Sequence, residues 1–212
     1  MADDQKLQAD CYSEGEREGM IRFQQMRALL LGPLLTLMTR LRLTANHITV
    51  LSFLAGLGFC VVWWETPRWA LSCLLAHAIL DGLDGPLARH QRTDSAQGSL
   101  TDSMCDQLVV TASMIVLMLD ERIGIVAGST YIFCYAIVVA FAMVRNAIQQ
   151  PYSWVLRPRF YVYAWVAAEV LWLGDTGWSD AVIWACNVPL AWKTCTGFLA
   201  IRRSLGPGRD PG

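Results

Sequence analysis

Apolar and polar positions divide this chain into six long hydrophobic stretches separated by short charged connections. A helix that crosses a bilayer needs about 20 mostly apolar residues. Stretches of that kind are expected from about His47 to Trp64, Trp69 to Ala88, Ser99 to Leu119, Ile123 to Val144, Tyr152 to Leu173 and Ala181 to Ile201. The fourth is the cleanest, and the fifth is the weakest because it contains Arg157, Pro158 and Arg159. Before the first, Ile21 to Leu41 alternates apolar clusters with Arg22, Arg27 and Arg40, the pattern of an amphipathic helix lying in the interface. The fold class that follows is an all-α integral membrane protein. It has six transmembrane helices and an N-terminal amphipathic interfacial helix. Residues 1–46 form the N-terminal segment, 47–201 the six-helix domain, and 202–212 a tail expected to be disordered.

Composition agrees with the pattern. Of 212 residues, 54% are hydrophobic and 17% charged, against roughly 45–50% and about 25% in a soluble domain. The net charge of -1 removes any bulk electrostatic case for nucleic-acid binding. Seven cysteines without CxxC spacing give neither a disulfide framework nor a zinc site.

The charges are sorted by side. Lys6, Arg17, Arg22, Arg27, Arg40 and Arg42 precede the first span. Arg89 and Arg92 follow the second, Arg145, Arg157 and Arg159 follow the fourth, and Arg202, Arg203 and Arg209 follow the sixth. The opposite side has Arg68 and Arg122 alone, so both termini are expected in the cytoplasm. Trp63, Trp64, Trp69, Trp172 and Trp178 fall at the opposite ends of the spans, where an aromatic belt is expected. Glu169 lies near that outer end and is expected to reach water.

The chemistry is concentrated where the second and third spans meet the cytoplasmic side. Asp81, Asp84, Gly85 and Ala88 share one helical face, and Gly98, Asp102 and Asp106 share another. A short connection makes the two helices antiparallel neighbours, so four carboxylates converge. Each intramembrane Asp costs about 2.5–3.5 kcal/mol on insertion scales, and the four repel one another. Divalent cations resolve both problems, and hard carboxylate oxygens suit Mg²⁺ or Mn²⁺. A pair of such ions is a known arrangement for phosphoryl transfer. Gly85 and Ala88 leave room beside the acids, and Arg89 is placed to hold a phosphate. A proton relay or a divalent-cation pathway also uses intramembrane acids, but neither needs a phosphate clamp or small residues beside it.

The run from Asp81 to Asp106 resembles the signature of the CDP-alcohol phosphotransferase family (class I CDP-alcohol phosphatidyltransferases), D-x2-D-G-x2-A-R-x8-G-x3-D-x3-D. All eight fixed positions match: Asp81, Asp84, Gly85, Ala88, Arg89, Gly98, Asp102 and Asp106. The resemblance implies that Asp81, Asp84, Asp102 and Asp106 bind two divalent cations and that Asp106 is also the general base. It implies that Gly85, Ala88, Arg89 and Gly98 serve the nucleotide and its phosphates, with Asn46 and Thr49 as weaker additions. The implied reaction moves a phosphatidyl group from CDP-diacylglycerol to a small alcohol and releases CMP. Transfer of a phospho-alcohol from a soluble CDP-alcohol to diacylglycerol is the alternative within the superfamily. The implied partners are CDP-diacylglycerol, a polar alcohol or sugar-phosphate acceptor, membrane lipids and a second copy of the chain.

Arg145, Arg157, Arg159 and Lys193 are candidates for holding a phosphorylated acceptor. The competing account of the three arginines is that they snorkel to headgroups as positive-inside anchors. His77 stands one turn before Asp81, where it can support the acids from behind, although packing is the commoner role of such a histidine. Pro86 occupies a variable position of the signature and is expected to kink the end of the second span.

Overall fold

The computed structural model describes residues 31–152 and 157–205, and it is helical throughout. Helix α1 covers residues 31–40 of the described chain, and the rest of the amphipathic segment, from Ile21, lies outside the described residues. There follow α2 (Ala45–Val62), α3 (Pro67–Gln91), α4 (Ala96–Leu119), α5 (Ile125–Ala147), α6 (Pro158–Ala168) and α7 (Ser179–Ser204). A π-helical turn, Glu169–Leu173, extends α6. All but the first residues of the expected tail are outside the described residues, as are Lys6, Arg17, Arg22, Arg27 and Arg209.

Local chemistry sets the helix ends. Thr44 and His47 form a reciprocal cap on α2: the His47 N–H donates to the Thr44 hydroxyl, and the Thr44 N–H donates to His47 Nδ1. Ser95 accepts from the Gly98 N–H at 3.1 Å and starts α4. Pro67 and Pro158 occupy first-turn positions, where a missing N–H costs nothing. Arg92 closes α3 in the left-handed region at φ 56°. Pro86 does not end α3, which runs on through it to Gln91.

Each helix buries one stripe. On α2 it is Ile48, Ser52, Gly56 and Phe59. A Cβ on Gly56 would lie 2.5 Å from Val109 of α4, so glycine there permits the close approach of α2 and α4. A large core joins Phe59, Trp63, Leu74, Val109, Tyr131, Val138, Val162 and Ile183. A smaller one joins Leu35 and Met38 of α1 to Ile48 and Leu87, seating α1 on the start of α2 and the later half of α3. Large apolar side chains such as Val61, Ile125 and Val188 point outward, as lipid-facing residues do.

Four helices, α2 to α5, are long and apolar enough to cross a membrane. The two later expected spans differ from the sequence reading. Helix α6 begins at Pro158 rather than Tyr152 and has only 11 residues before the five-residue π turn. Helix α7 is 26 residues long but carries Asp180, Asn187, Lys193, Arg202 and Arg203. The belt is also incomplete. Trp64, Trp69, Trp172 and Trp178 are exposed, whereas Trp63 is 1% exposed and donates its indole N–H to Asp120 at 3.0 Å.

Candidate active site

The inward stripe of α3 passes from Leu74 through His77, Asp81 and Asp84 to Leu87, so the face that packs the bundle also carries its acids. On α4 the stripe runs Asp102, Asp106, Val109, Ser113 and Leu117. Asp81 and Asp106 each sit about 15 Å from the nearer helix end, by the rise of an α-helix, and not at the rim.

One oxygen each from Asp81, Asp102 and Asp106 lies within 4.8 Å of the others. Asp102 faces Asp84, and Asp106 faces Asp81. The donor set is all hard oxygen, which suits Mg²⁺ or Mn²⁺. Asp84 is nearly fully buried, and its oxygens accept from the Thr49 hydroxyl at 2.9 Å and the Gly85 N–H at 2.5 Å. Three of the four expected carboxylates are thus gathered at a common point, with Asp84 tied back to α2 beside them.

Arg159 comes in from α6. It is 6% exposed, and its guanidinium donates to Asp81 Oδ2 at 3.1 Å and to Asp106 Oδ2. His77 is a further neighbour of the acids, with Nε2 3.7 Å from Asp106 Oδ1. Its other ring nitrogen lies 2.9 Å from the Ser52 hydroxyl, which fixes the ring orientation.

A sequence profile of the CDP-alcohol phosphatidyltransferase family matches residues 42–193, from before α2 into α7. The chain belongs to that family. It is 38% identical over 75 residues to a chloroplast and mitochondrial CDP-diacylglycerol–glycerol-3-phosphate 3-phosphatidyltransferase of Arabidopsis thaliana, covering 35% of this chain and 25% of that protein. It is 33% identical over 114 residues to the CDP-diacylglycerol–serine O-phosphatidyltransferase of Mycobacterium tuberculosis, covering 51% of this chain and 39% of the relative. Over 68 residues it is 37% identical to a bifunctional IPC transferase and DIPP synthase of Aquifex aeolicus, covering 32% of this chain and 16% of that protein. The chain therefore spans well under half the length of these relatives.

The other family positions fall around the acids with differing closeness. Arg89 folds back over Gly85: a Cβ there would sit 3.5 Å from a guanidinium nitrogen, so glycine leaves the space that Arg89 uses. Ala88 is half-buried on the same face. Gly98 lies in the first turn of α4 against Ser95, and Asn46 is exposed on the first turn of α2. Thr49 is the α2 residue that touches an acid.

The four basic candidates separate. Arg159 does not snorkel, because its charge is satisfied inside the bundle by Asp81 and Asp106. Arg145 donates to the carbonyls of Gln150 and Pro151 and stacks over Tyr152 at 4.1 Å, holding the turn after α5. Lys193 is buried at 6% exposure, with its ammonium over the same Tyr152 ring, 5.3 Å from the ring centre. Arg157 is half-buried at the start of α6.

The sequence pattern does not single out Ser52, although it lies one turn from Thr49 on the buried stripe of α2. Glu169 does not reach water, contrary to what its position near the outer end suggests. It is 2% exposed and accepts from the hydroxyls of Thr176 and Ser179, each at 2.5 Å.

Proposed function

We propose that this chain transfers a phosphatidyl group from CDP-diacylglycerol to a small polar alcohol and releases CMP. The observation that carries the proposal is the convergence of Asp81, Asp102 and Asp106 from two antiparallel helices of a family member. The names of the Arabidopsis and mycobacterial relatives, glycerol-3-phosphate and serine phosphatidyltransferases, support a CDP-diacylglycerol donor.

In this account Asp81, Asp84, Asp102 and Asp106 hold two divalent cations. When bound, these supply charge stabilisation to the donor diphosphate and to the oxygens that gain charge during transfer. Gly85 and Ala88 admit the cytidine, Arg89 and Gly98 border the diphosphate, and Asn46 and Thr49 complete that side. Asp106 takes the proton from the acceptor hydroxyl. The acceptor oxygen forms a bond to the β-phosphorus as the bond to the CMP oxygen breaks, and CMP leaves with its charge beside Arg89. Lys193, Arg145, Arg157 and Arg159 form the basic side from which a phosphorylated acceptor approaches.

The same proposal has α6 with its π turn and α7 completing six spans, with an interfacial helix before α2. Both termini and the active site face the cytoplasm, where CMP and a polar acceptor are soluble. The working unit is a homodimer. Purified protein with Mg²⁺ and CDP-diacylglycerol, offered glycerol 3-phosphate, serine or inositol phosphate in turn, should release CMP with one of them. Release only with a soluble CDP-alcohol and diacylglycerol would reverse the donor assignment. No release with any pair at intact fold would favour a cation pathway.

A further inference from the structure

Arg159 and Arg145 are held in different ways. The Arg159 guanidinium donates to one carboxylate of α3 and one of α4. Its Nε is buried with no acceptor, and the Phe160 ring lies 4.9 Å from Cζ. No backbone carbonyl is among these contacts. Arg145, by contrast, is fixed by two main-chain carbonyls and a tyrosine ring, so moving it would undo a turn. Moving Arg159 would release the carboxylates of Asp81 and Asp106 and no main-chain carbonyl among the contacts described.

Those two carboxylates belong to the trio whose oxygens lie within 4.8 Å of one another. A guanidinium and a divalent cation then draw on the same oxygens. A cation held by the same carboxylates would also repel the guanidinium's positive charge. We propose that Arg159 is a built-in competitor for the divalent cation: it neutralises Asp81 and Asp106 and is exchanged off at least one of them when the cation binds. Arg159 is thereby a positioning residue. It keeps the buried acids compensated, and it sets how tightly the cation is held before the donor's phosphates arrive. Cation occupancy becomes coupled to donor binding, because the diphosphate adds the ligands that tip the exchange.

The inference rests on the carboxylates being a divalent-cation site. The test separates the two ideas. Mn²⁺ is titrated into the purified full chain and followed by electron paramagnetic resonance without donor or acceptor. Wild type is compared with Arg159→Gln, Arg159→Lys and Asp102→Asn. Arg159→Gln is expected to bind Mn²⁺ at least about tenfold more tightly than wild type, because a full charge leaves the site. Its thermal midpoint without cation should fall, and Mn²⁺ should raise that midpoint more than in wild type. A merely structural arginine would lower the midpoint without tightening Mn²⁺. Saturable binding in wild type that Asp102→Asn removes, but Arg159→Gln leaves equal or weaker, overturns the exchange while keeping the cation site. No saturable binding in any protein overturns both. Should Arg159→Gln not fold, Arg159→Lys carries the test. A point-charge ammonium cannot span both carboxylates as the guanidinium fork does, so tighter binding than wild type is expected and equal or weaker binding overturns the exchange.

Discussion

Acidic side chains are partly or fully buried toward both ends of the helical bundle, and the two ends satisfy them by opposite means. Glu169, on the π turn after α6, has each oxygen occupied by a hydroxyl, from Thr176 and from Ser179, and Ser179 also accepts from the Trp165 indole. Asp120 at the same end accepts from the Trp63 indole and from Arg122, whose guanidinium lies 5.3 Å from the Trp63 ring. These acids are surrounded by donors from neighbouring elements. At the other end Asp102 faces Asp84, Asp106 faces Asp81, and a single arginine serves the latter pair. Buried carboxylates that meet donors tie helices together. Carboxylates that meet one another inside the bundle demand cations, and that demand marks the candidate active site.

The contrast breaks most visibly if the acids of the two ends respond alike to substitution. Asp106→Asn is expected to lower CMP release by about 10²–10⁴-fold, the usual contribution of a positioned base, while the protein stays folded. Near-normal turnover would remove the base assignment. Asp102→Asn should cost well over about 100-fold in CMP release. The same change should leave the thermal midpoint in EDTA unchanged or raised, since it relieves repulsion among like charges. A fall in that midpoint would mean that Asp102 is a tie and not a ligand.

At the far end the order of effects reverses. Glu169→Ala strands the buried Ser179 hydroxyl and the half-buried Thr176 hydroxyl and should destabilise the fold by about 1–3 kcal/mol in equilibrium unfolding, with CMP release per folded molecule unchanged. Loss of turnover at intact stability would give the π turn a role in catalysis. Trp63→Phe keeps an aromatic ring but drops the bond to Asp120 and shrinks a fully buried side chain, and at least about 1 kcal/mol of stability should go with them, again without a change in turnover.

The two ends were also unequally legible in the sequence. The acids of α3 and α4 announced themselves because helical period places them on one stripe and their apolar surroundings make them costly there. His77 follows from its one-turn spacing to Asp81, and Thr49 only from the family resemblance; Asp106 and Asp84 respectively are where they point. Arg159 did not follow, because its partners lie 78 and 53 positions earlier in the chain and only the packing of α6 brings them together. Pro158 at the first position of α6 was the local sign of where that helix starts. Trp63 looks like an interface residue by position alone, and its acceptor, Asp120, is 57 residues away. Glu169 likewise reads as a residue able to reach water until the turn after it folds Thr176 and Ser179 back onto its carboxylate.

The account's central claim is that the α3–α4 carboxylates work through bound divalent cations in phosphatidyl transfer. Wild-type protein that releases CMP from CDP-diacylglycerol in the presence of an acceptor should fall silent after EDTA treatment. Adding Mg²⁺ or Mn²⁺ in excess should restore release. CMP release that continues undiminished in EDTA would contradict the claim.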